Sequence, residues 1–494
     1  MSTLLTSVMN MKSPNIVIVG DYMLDESVFG DAERLSPDSP VPVLEVKKTE
    51  SLAGGSGNVA RCVSAMGGNV TCIGVIGNDT EGQTLKALLE KDGINAEHLI
   101  ECQDRPTTVK RSLIGLAQHR HPQKMFRLDR ETKEPISSEI ESKLLSALSV
   151  SLQMADVVCI EDYGKGVLTP SCCKAVIEHC REAGVQVIVD PANIDDYSIY
   201  AGATAITPNR TEAERATGTR LHDDEPIAGA VELASHLCEE LNLHAAVVTL
   251  DKHGAVVKER ERDAKHIATT VRTVYDVTGA GDMVLAAIAM GLASGMNWIE
   301  SVSFANIAAG LEVEMFGATP IPISQIKLAV IQASEEGRGK VRSSELLNIE
   351  LNALKQAGKR IVLTNGCFDV IHAGHVSYLR EAAKLGDVLV VGVNSDAQVK
   401  AQKGDNRPVY AIEERMEILA ELQCVSLVTS FEEPTAEALI KLVQPDLYVK
   451  GGDYAKEDIN EFELLTSLGI EVEVLTHRPG RSSTQVAAQL RGDE

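Results

Sequence analysis

IVIVGDYMLD, residues 16–25, is an apolar run that ends at Gly20 and Asp21. A short β-branched run of this kind reads as a strand buried on both faces, followed by a loop that carries chemistry. The same rhythm recurs in VTCIGVIG (70–77), ADVVCIEDYG (155–164), VQVIVDPA (185–192), ATAITPN (203–209) and HAAVVTLDKHG (244–254), each followed by polar, helix-compatible sequence. Strands alternating with helices predict a parallel α/β sheet. PVPVLEV (41–47), TTVKRSLIGL (107–116) and QKMFRLD (123–129) break the rhythm, being strand-like without helical sequence between the last two. They predict an antiparallel flap.

Past Ile321 the character shifts to ISQIKLAVIQAS and then to the polar, glycine-containing EEGRGKVRSSE (335–345). A second α/β rhythm follows in RIVLTNG (360–366), DVLVVGVN (387–394), CVSLVTS (424–430), DLYVKGGD (446–453) and IEVEVLT (470–476). The expected organisation is a domain over 1–320, a linker over 321–343 and a second domain over 344–494. A chain of 494 residues requires at least two domains, because single cores stop growing near ~250–300 residues. The balance of 47 basic and 71 acidic residues, net −24, excludes proteins that bind nucleic acid or anionic membranes through a basic field. The ten cysteines contain no CxxC pair, which reads as reduced thiols in a cytoplasmic protein. Neither an export signal nor an apolar run of ~18 residues is expected.

Chemistry concentrates in two constellations. DVTGAGD (276–282) precedes the small-residue helix MVLAAIAMGLASG. Glycines admit backbone N–H groups to an anion, a helix N-terminus favours negative charge, and Asp282 supplies a carboxylate beside them. That set suits phosphoryl transfer, with Asp282 as the base and Gly279, Ala280 and Gly281 as the anion hole. A tight turn with a capping aspartate is the plainer reading of the motif alone. Upstream, Asp21 and LAGGSGNVA (52–60), with Gly54, Gly55 and Asn58, offer a polyol clamp. TPNRTEAE (207–214) sets Asn209, Arg210, Thr211 and Glu212 just after a strand, where Asn209 and Glu212 organise Mg²⁺ through water or merely cap a helix.

The second constellation is RIVLTNGCFDVIHAGHVSYLREAAKLGD (360–387). His372 and His375, three apart at a helix start, face one side, and Gly374 admits a phosphate. They would donate to a triphosphate under attack at its α-phosphorus; zinc ligation is the rival, without a cysteine or glutamate at metal spacing. KGDNRPVYAIEERMEIL (403–419) adds Lys403, Arg407 and Arg415, the two arginines reading equally well as a solvated helix face.

In order along the chain, the GG loop with Asn58, the NxxE segment and GAGD resemble the ribokinase-like sugar kinases, or PfkB family, over residues 14–318. Met283 departs from the small or hydroxylated residue that many members have. The resemblance implies a ribokinase-like α/β sandwich with a β-flap, Asp282 as base, Asp21, Gly54, Gly55 and Asn58 facing the sugar, and Thr249, Gly254 and Asn306 near ATP. Residues 344–494 resemble the cytidylyltransferase-like nucleotidyltransferases, a Rossmann-like α/β fold. This implies that His372 and His375 stabilise the transition state. Nucleotide and phosphate would then be held by Asn365, Gly366, Phe368, Asp369, Gly374, Lys403, Arg407, Lys450, Gly451, Asp453, Arg481, Ser482 and Ser483.

The order of the halves resembles the family of bifunctional heptose 7-phosphate kinases and heptose 1-phosphate adenylyltransferases. It implies ATP with Mg²⁺ in both halves, heptose 7-phosphate and heptose 1-phosphate as substrates, and a homodimer, and leaves open whether a monovalent cation sits near Asp276. Lys110, Arg111 and Arg127, on the flap strands, are then candidates for the 7-phosphate, unless they are merely solvated. Two rivals stay open: a kinase for another sugar joined to a CTP-dependent cytidylyltransferase, and a half that binds nucleotide without turnover.

Overall fold

Uncharged β-branched runs become the central strands of two separate sheets, because each run is buried on both faces and only helices can cover it. The computed structural model describes residues 3–116, 122–221, 225–269, 274–334, 339–452 and 455–475. The chain divides into two compact units, Thr6–Ile326 and Lys327–Glu494 with Met1–Leu5.

The first unit contains β1 (Asn15–Gly20), β2 (Tyr22–Leu35), β3 (Pro42–Gly55), β4 (Asn69–Gly77), β5 (Asn95–Cys102), β6 (Thr108–Leu116) and β7 (Gln123–Arg130). It continues with β8 (Val157–Glu161), β9 (Gln186–Asp190), β10 (Ala205–Ile206), β11 (Ala245–Thr249), β12 (Ala255–Glu259) and β13 (Lys265–Ile267). Nine of these form one sheet in the order β13-β12-β11-β10-β9-β8-β1-β4-β5. It is parallel from β11 to β5, with β12 and β13 antiparallel at the edge. Val17, Val19, Ile160 and Val248 pack with Leu144, Val176 and Leu237 of the helices Ser138–Ser151, Pro170–Ala183 and Pro226–Glu240. Strand alternation sends Ile16 and Ile18, both buried, to the opposite face. The predicted α/β sandwich is borne out.

β3, β2, β6 and β7 make the flap, a separate four-stranded sheet. It is not wholly antiparallel: β2 and β6 run parallel. Residues 22–35, expected to begin a loop after Asp21, are its longest strand together with β3. Asp21 is therefore a pivot between two sheets.

Chain order reverses beside β1, with β4 and β5 on one side and β8 to β11 on the other. In an open α/β sheet, ligands bind beyond the carboxyl ends of the strands at such a reversal. The helix Ala280–Ala293 contacts β8 and β9 there. Its Met283, Leu285, Ile288 and Met290 are fully buried, each stabilising by ~1.5–3 kcal/mol relative to exposure. Core packing thus fixes the helix start that carries Asp282.

The second unit is a five-stranded parallel sheet, β16-β15-β14-β17-β18. Its strands are β14 (Ile361–Gly366), β15 (Val388–Asn394), β16 (Leu427–Phe431), β17 (Leu447–Gly451) and β18 (Glu471–Leu475). Here the reversal lies between β14 and β17. The segment expected as a linker holds the helix Ile323–Ala333 and a strip along this sheet, with Val341 bridging Val428. Arg342 is buried against Glu350, Nε to Oε2 at 2.6 Å. Polar composition concealed this strip because its charge is paired inside the fold. Among the described residues, no helix is long and apolar enough to cross a membrane.

Candidate active sites

Asp282 is the third residue of its helix, after Gly279 with φ 93° at the N-cap. A Cβ at Gly279 would lie 2.7 Å from Glu312 Oε1 and 3.0 Å from Asn58 Nδ2, so only glycine fits. Both oxygens of Asp282 are engaged: Asn58 Nδ2 donates to Oδ2 at 2.7 Å and the Tyr163 hydroxyl to Oδ1 at 2.9 Å. Burial pushes the Asp282 carboxyl up to about 6, against these two hydrogen bonds. Asn58, expected to face sugar, holds the carboxylate through its Nδ2, on a helix, Ser56–Ala65, that starts immediately after Gly55.

Asp21 is 2% exposed, and its Oδ2 accepts from the backbone N–H of Tyr163 at 2.9 Å and of Lys165 at 3.0 Å. Burial and then the neighbouring Asp162 charge raise its carboxyl to about 6. Asp21 Oδ2 therefore shapes a loop while its Oδ1 is buried without a hydrogen-bond partner, and Asp25 is a second acid, close to the flap cations. A Cβ at Gly54 would strike the Asp25 carboxylate at 2.2 Å, so Gly54 makes room for it. Burial raises Asp25, and Lys110 and Arg127 oppose the shift. Lys110 also lies 4.6 Å over the Tyr163 ring, whereas Arg127 forks onto Asp129 and Arg111 pairs with Glu26. Asp25 was overlooked although it closes the same IVIVGDYMLD run.

Glu161 and Asp190 end the adjacent strands β8 and β9 and, with Asp282, present oxygens within 4.8 Å of one another. Glu161 Oε2 is buried without a hydrogen-bond partner. Burial pushes both well above the usual carboxylate range, reinforced by Asp190 and then Asp282 at Glu161 and by Glu212 and then Asp282 at Asp190. Three converging carboxylates, one with an unsatisfied oxygen, fit a divalent cation. A signal existed: both acids follow β-branched runs, in CIED and IVDP. Asn209 and Glu212, expected to organise Mg²⁺, form a capping box in which Asn209 Oδ1 accepts from Glu212 N and Glu212 Oε2 from Asn209 N. The cap occupies the two oxygens, although Glu212 lies near enough to Asp190 for its charge to be felt. Arg210 turns to Glu214, and Thr211 is exposed on the helix. Thr249 extends the β10–β11 pairing by bridging Asn209, while Gly254 and Asn306 both approach the Ile267 carbonyl. Asp276 accepts from Thr278 and from Gly317 N, which hold it below the usual carboxylate range with help from Lys124 despite partial burial.

In the second unit His372 caps the helix Ala373–Ala383. Its Nδ1 accepts from Gly374 N at 3.1 Å, and His375 Nδ1 accepts from His372 N at 3.4 Å. In neutral imidazoles this places the proton on Nε2, making each Nε2–H a donor. The rings lie 4.0 Å apart. A Cβ at Gly374 would sit 2.8 Å from the His372 ring, so glycine is needed for the cap itself. Phe368 is held at φ 45°, a strained conformation for a bulky residue, with its ring 5.6 Å from His375. Gly366 ends β14 beneath that ring.

Lys450, on β17, donates to Asn365 Oδ1 at 2.9 Å, and burial lowers its ammonium from the ordinary value. Gly451 follows at the strand end, and Lys403 is exposed near Cys367. Asp369 is buried against Arg407, Nε to Oδ2 at 2.7 Å, and accepts from Val409 N. Arg407 Nη1 is buried without a hydrogen-bond partner. Arg415 is no solvated residue, being fully buried on Tyr410 O, Cys367 O and Asp396. Asp453, Arg481, Ser482 and Ser483 lie outside the described residues.

The profile of the pfkB family carbohydrate kinases matches residues 13–325, and that of the cytidylyltransferase-like family residues 363–489. Bifunctional protein HldE of Pelobacter propionicus is 39% identical over 97% of this chain and 96% of its own. HldE of Sulfurimonas denitrificans is 36% identical over 97% and 98%. Arabidopsis thaliana ribokinase, solved with ribose and ATP, aligns over 64% of this chain and 99% of its own at TM-score 0.50 and 22% identity. Phosphofructokinase-2 of Escherichia coli, solved with potassium, aligns over 65% and 100% at TM-score 0.54 and 17% identity. Those two likenesses concern the fold alone. By its two family matches and its full-length relatives, the chain belongs to the bifunctional HldE family, as an enzyme with a carbohydrate kinase half and a nucleotidyltransferase half.

Proposed function

We propose that the chain phosphorylates D-glycero-β-D-manno-heptose 7-phosphate at C1 with ATP, and transfers AMP from a second ATP to heptose 1-phosphate, giving ADP-heptose and pyrophosphate. Another enzyme removes the 7-phosphate between the steps. The observation that carries the reading is the pairing, in one chain, of a buried carboxylate at one sheet's reversal with a histidine-capped helix at the other's. In the first half the ionised Asp282 takes the proton of the anomeric hydroxyl as its oxygen bonds to the γ-phosphorus and ADP leaves. Asp25 with Lys110 and Arg127 orients the phosphosugar, and the helix N-terminus at Gly279–Gly281 receives the transferred group. Glu161 and Asp190 would hold Mg²⁺, which neutralises charge on the triphosphate, with Glu212 acting through water. In the second half the substrate phosphate attacks the α-phosphorus, while the His372, His375 and Lys450 donors offset the charge that develops.

The same reading makes the enzyme a cytoplasmic homodimer serving lipopolysaccharide core assembly. Its flap exposes Val46, Leu52, Phe126 and Leu128, an apolar surface suited to a second copy. A monovalent cation near Asp276 belongs to the same set. The deciding measurement is pyrophosphate release by the full chain with ATP or CTP against heptose 1-phosphate and other sugar 1-phosphates. Selective turnover of ATP with heptose 1-phosphate is expected; turnover with CTP, or with another sugar, would overturn the assignment.

A further inference from the structure

The two faces of the C-terminal sheet carry different chemistry at its reversal. Val362 of β14 and Val449 of β17 pack with Tyr378, Leu379 and Ala382 of the helix Ala373–Ala383, at whose start His372 and His375 stand. Leu363 and Tyr448 pack on the other face, with Leu347 and Leu351 of the helix Ser344–Gln356 and Ile440 of the helix Glu437–Val443. Alternation along each strand then puts Asn365 and Lys450 on that second face, away from the histidine helix. Gly392, opposite Asn365 on β15, agrees: a Cβ there would strike Leu439 of the second face and lie 3.3 Å from the Asn365 Cβ.

Asn365 Oδ1 accepts twice, from the Tyr448 hydroxyl at 2.6 Å and from Lys450 Nζ at 2.9 Å. An amide oxygen has two lone pairs, so both are taken and the carboxamide is locked one way round. Its Nδ2 donates to no described residue and is not enclosed, since Asn365 is half-buried at the strand end. Lys450 has no carboxylate at ion-pair distance among the described residues; Glu461, whose charge it feels, gives an oxygen to Ala436 N. An ammonium without a counter-charge and an amide held as a donor make a cradle for an anion.

We propose that this cradle holds the phosphate of the sugar 1-phosphate, with Tyr448 as the positioning residue that keeps Asn365 a donor. The proposal rests on the adenylyl transfer put forward above. In that reaction an oxygen of the sugar phosphate bonds to the α-phosphorus while the bond to the β-phosphate oxygen breaks, and pyrophosphate leaves with the electron pair. Attack and departure run roughly in line, so the two anions lie on opposite sides of the phosphorus. Histidines on one face of the sheet and the cradle on the other match those two sides. The Nε2–H donors at a helix N-terminus suit the leaving pyrophosphate, which gains charge, whereas the Lys450 cation suits a nucleophile that arrives as an anion. In the sequence Tyr448 reads as an ordinary strand aromatic, because its hydroxyl meets Asn365 across 83 positions.

The test is pyrophosphate release by the full chain, with KM for ATP and for heptose 1-phosphate measured separately. Asn365→Asp preserves the acceptor for Tyr448 and Lys450 but replaces the donor by an anionic oxygen. KM for heptose 1-phosphate should rise by about tenfold or more, the scale of one hydrogen bond to a charged group, while KM for ATP stays within about twofold. Lys450→Met should give the same split. Tyr448→Phe frees the amide to turn and should raise KM for heptose 1-phosphate by about threefold, the scale of one neutral hydrogen bond. Should Tyr448→Phe fold poorly, the other two variants decide. A rise in KM for ATP instead, or a loss of kcat with neither KM moved, would overturn the proposal. A native enzyme that releases no pyrophosphate from ATP and heptose 1-phosphate would overturn the underlying reading, before any variant is compared.

Discussion

In the N-terminal half, the strands meeting at the reversal of chain order lead into Asp21 and Glu161; in the C-terminal half, the corresponding strands end at Gly366 and Gly451, beside Lys450. Each half also aims a helix N-terminus at this point, one bearing Asp282 and the other His372 and His375. The geometry is shared and the charge is opposite. The kinase nucleophile is a hydroxyl that must lose a proton, so that half gathers carboxylates. The transferase nucleophile is a phosphate, already an anion, which needs donors and no base. Accordingly Asp369, three residues before His372, is spent on Arg407 inside the protein.

Crossed substitutions should separate the halves by the largest effects. Asp282→Asn should cut sugar phosphorylation by ~10²–10⁴ and spare pyrophosphate release. His375→Ala should cut pyrophosphate release by ~10²–10³ and spare phosphorylation. In the native enzyme the kinase rate should fall as pH drops through about 6, because only ionised Asp282 can accept a proton. Either variant abolishing both activities would break the comparison.

Much of this was legible in advance where local sequence dictates local structure. Strand runs, the glycine needed at 279, the GAGD helix start and the histidine cap are short-range features, and pattern reveals them. What the sequence concealed was long-range. Tyr163 and Asp25 reach Asp282 from two other segments, and Asn58 serves as its donor across 224 positions. The pairing of Asp369 with Arg407 was hidden too, because a charge pair 38 residues apart gives no sign of burying itself. The Asn209–Glu212 spacing supported capping and metal binding equally, and the capping box forms through those same side chains.

The next effect concerns stability. Asp369 and Arg407 have side chains 0% and 8% exposed, so removing one partner strands a charge in the interior. Asp369→Asn should destabilise the C-terminal unit by ~3 kcal/mol, the lower end for breaking a buried pair. Urea unfolding followed by pyrophosphate-release activity should show the midpoint falling, with kinase activity lost at its usual concentration. An unchanged midpoint would mean that Arg407 reaches water, and that the pair does not anchor the phosphate side of this site.

The N-terminal half offers the converse case. Glu312 is 1% exposed, neither oxygen accepts a hydrogen bond of ordinary length, and burial followed by the Asp282 charge lifts its carboxyl to about 8, against Arg61. Between its ordinary value of 4.5 and about 8, the folded protein keeps a proton there that the unfolded chain has released. Stability contributed by this group is therefore full below pH 4.5 and declines as pH rises through that window. Glu312→Gln has no proton to lose, so its urea midpoint should match the native protein's near pH 4.5 and exceed it toward pH 8. If the variant is instead the less stable protein at pH 8, the Glu312 anion is compensated by a cation. Asp276 feels the same carboxylate, and repeating the melts with potassium and with a bulky organic cation would then show whether a small monovalent ion supplies that charge.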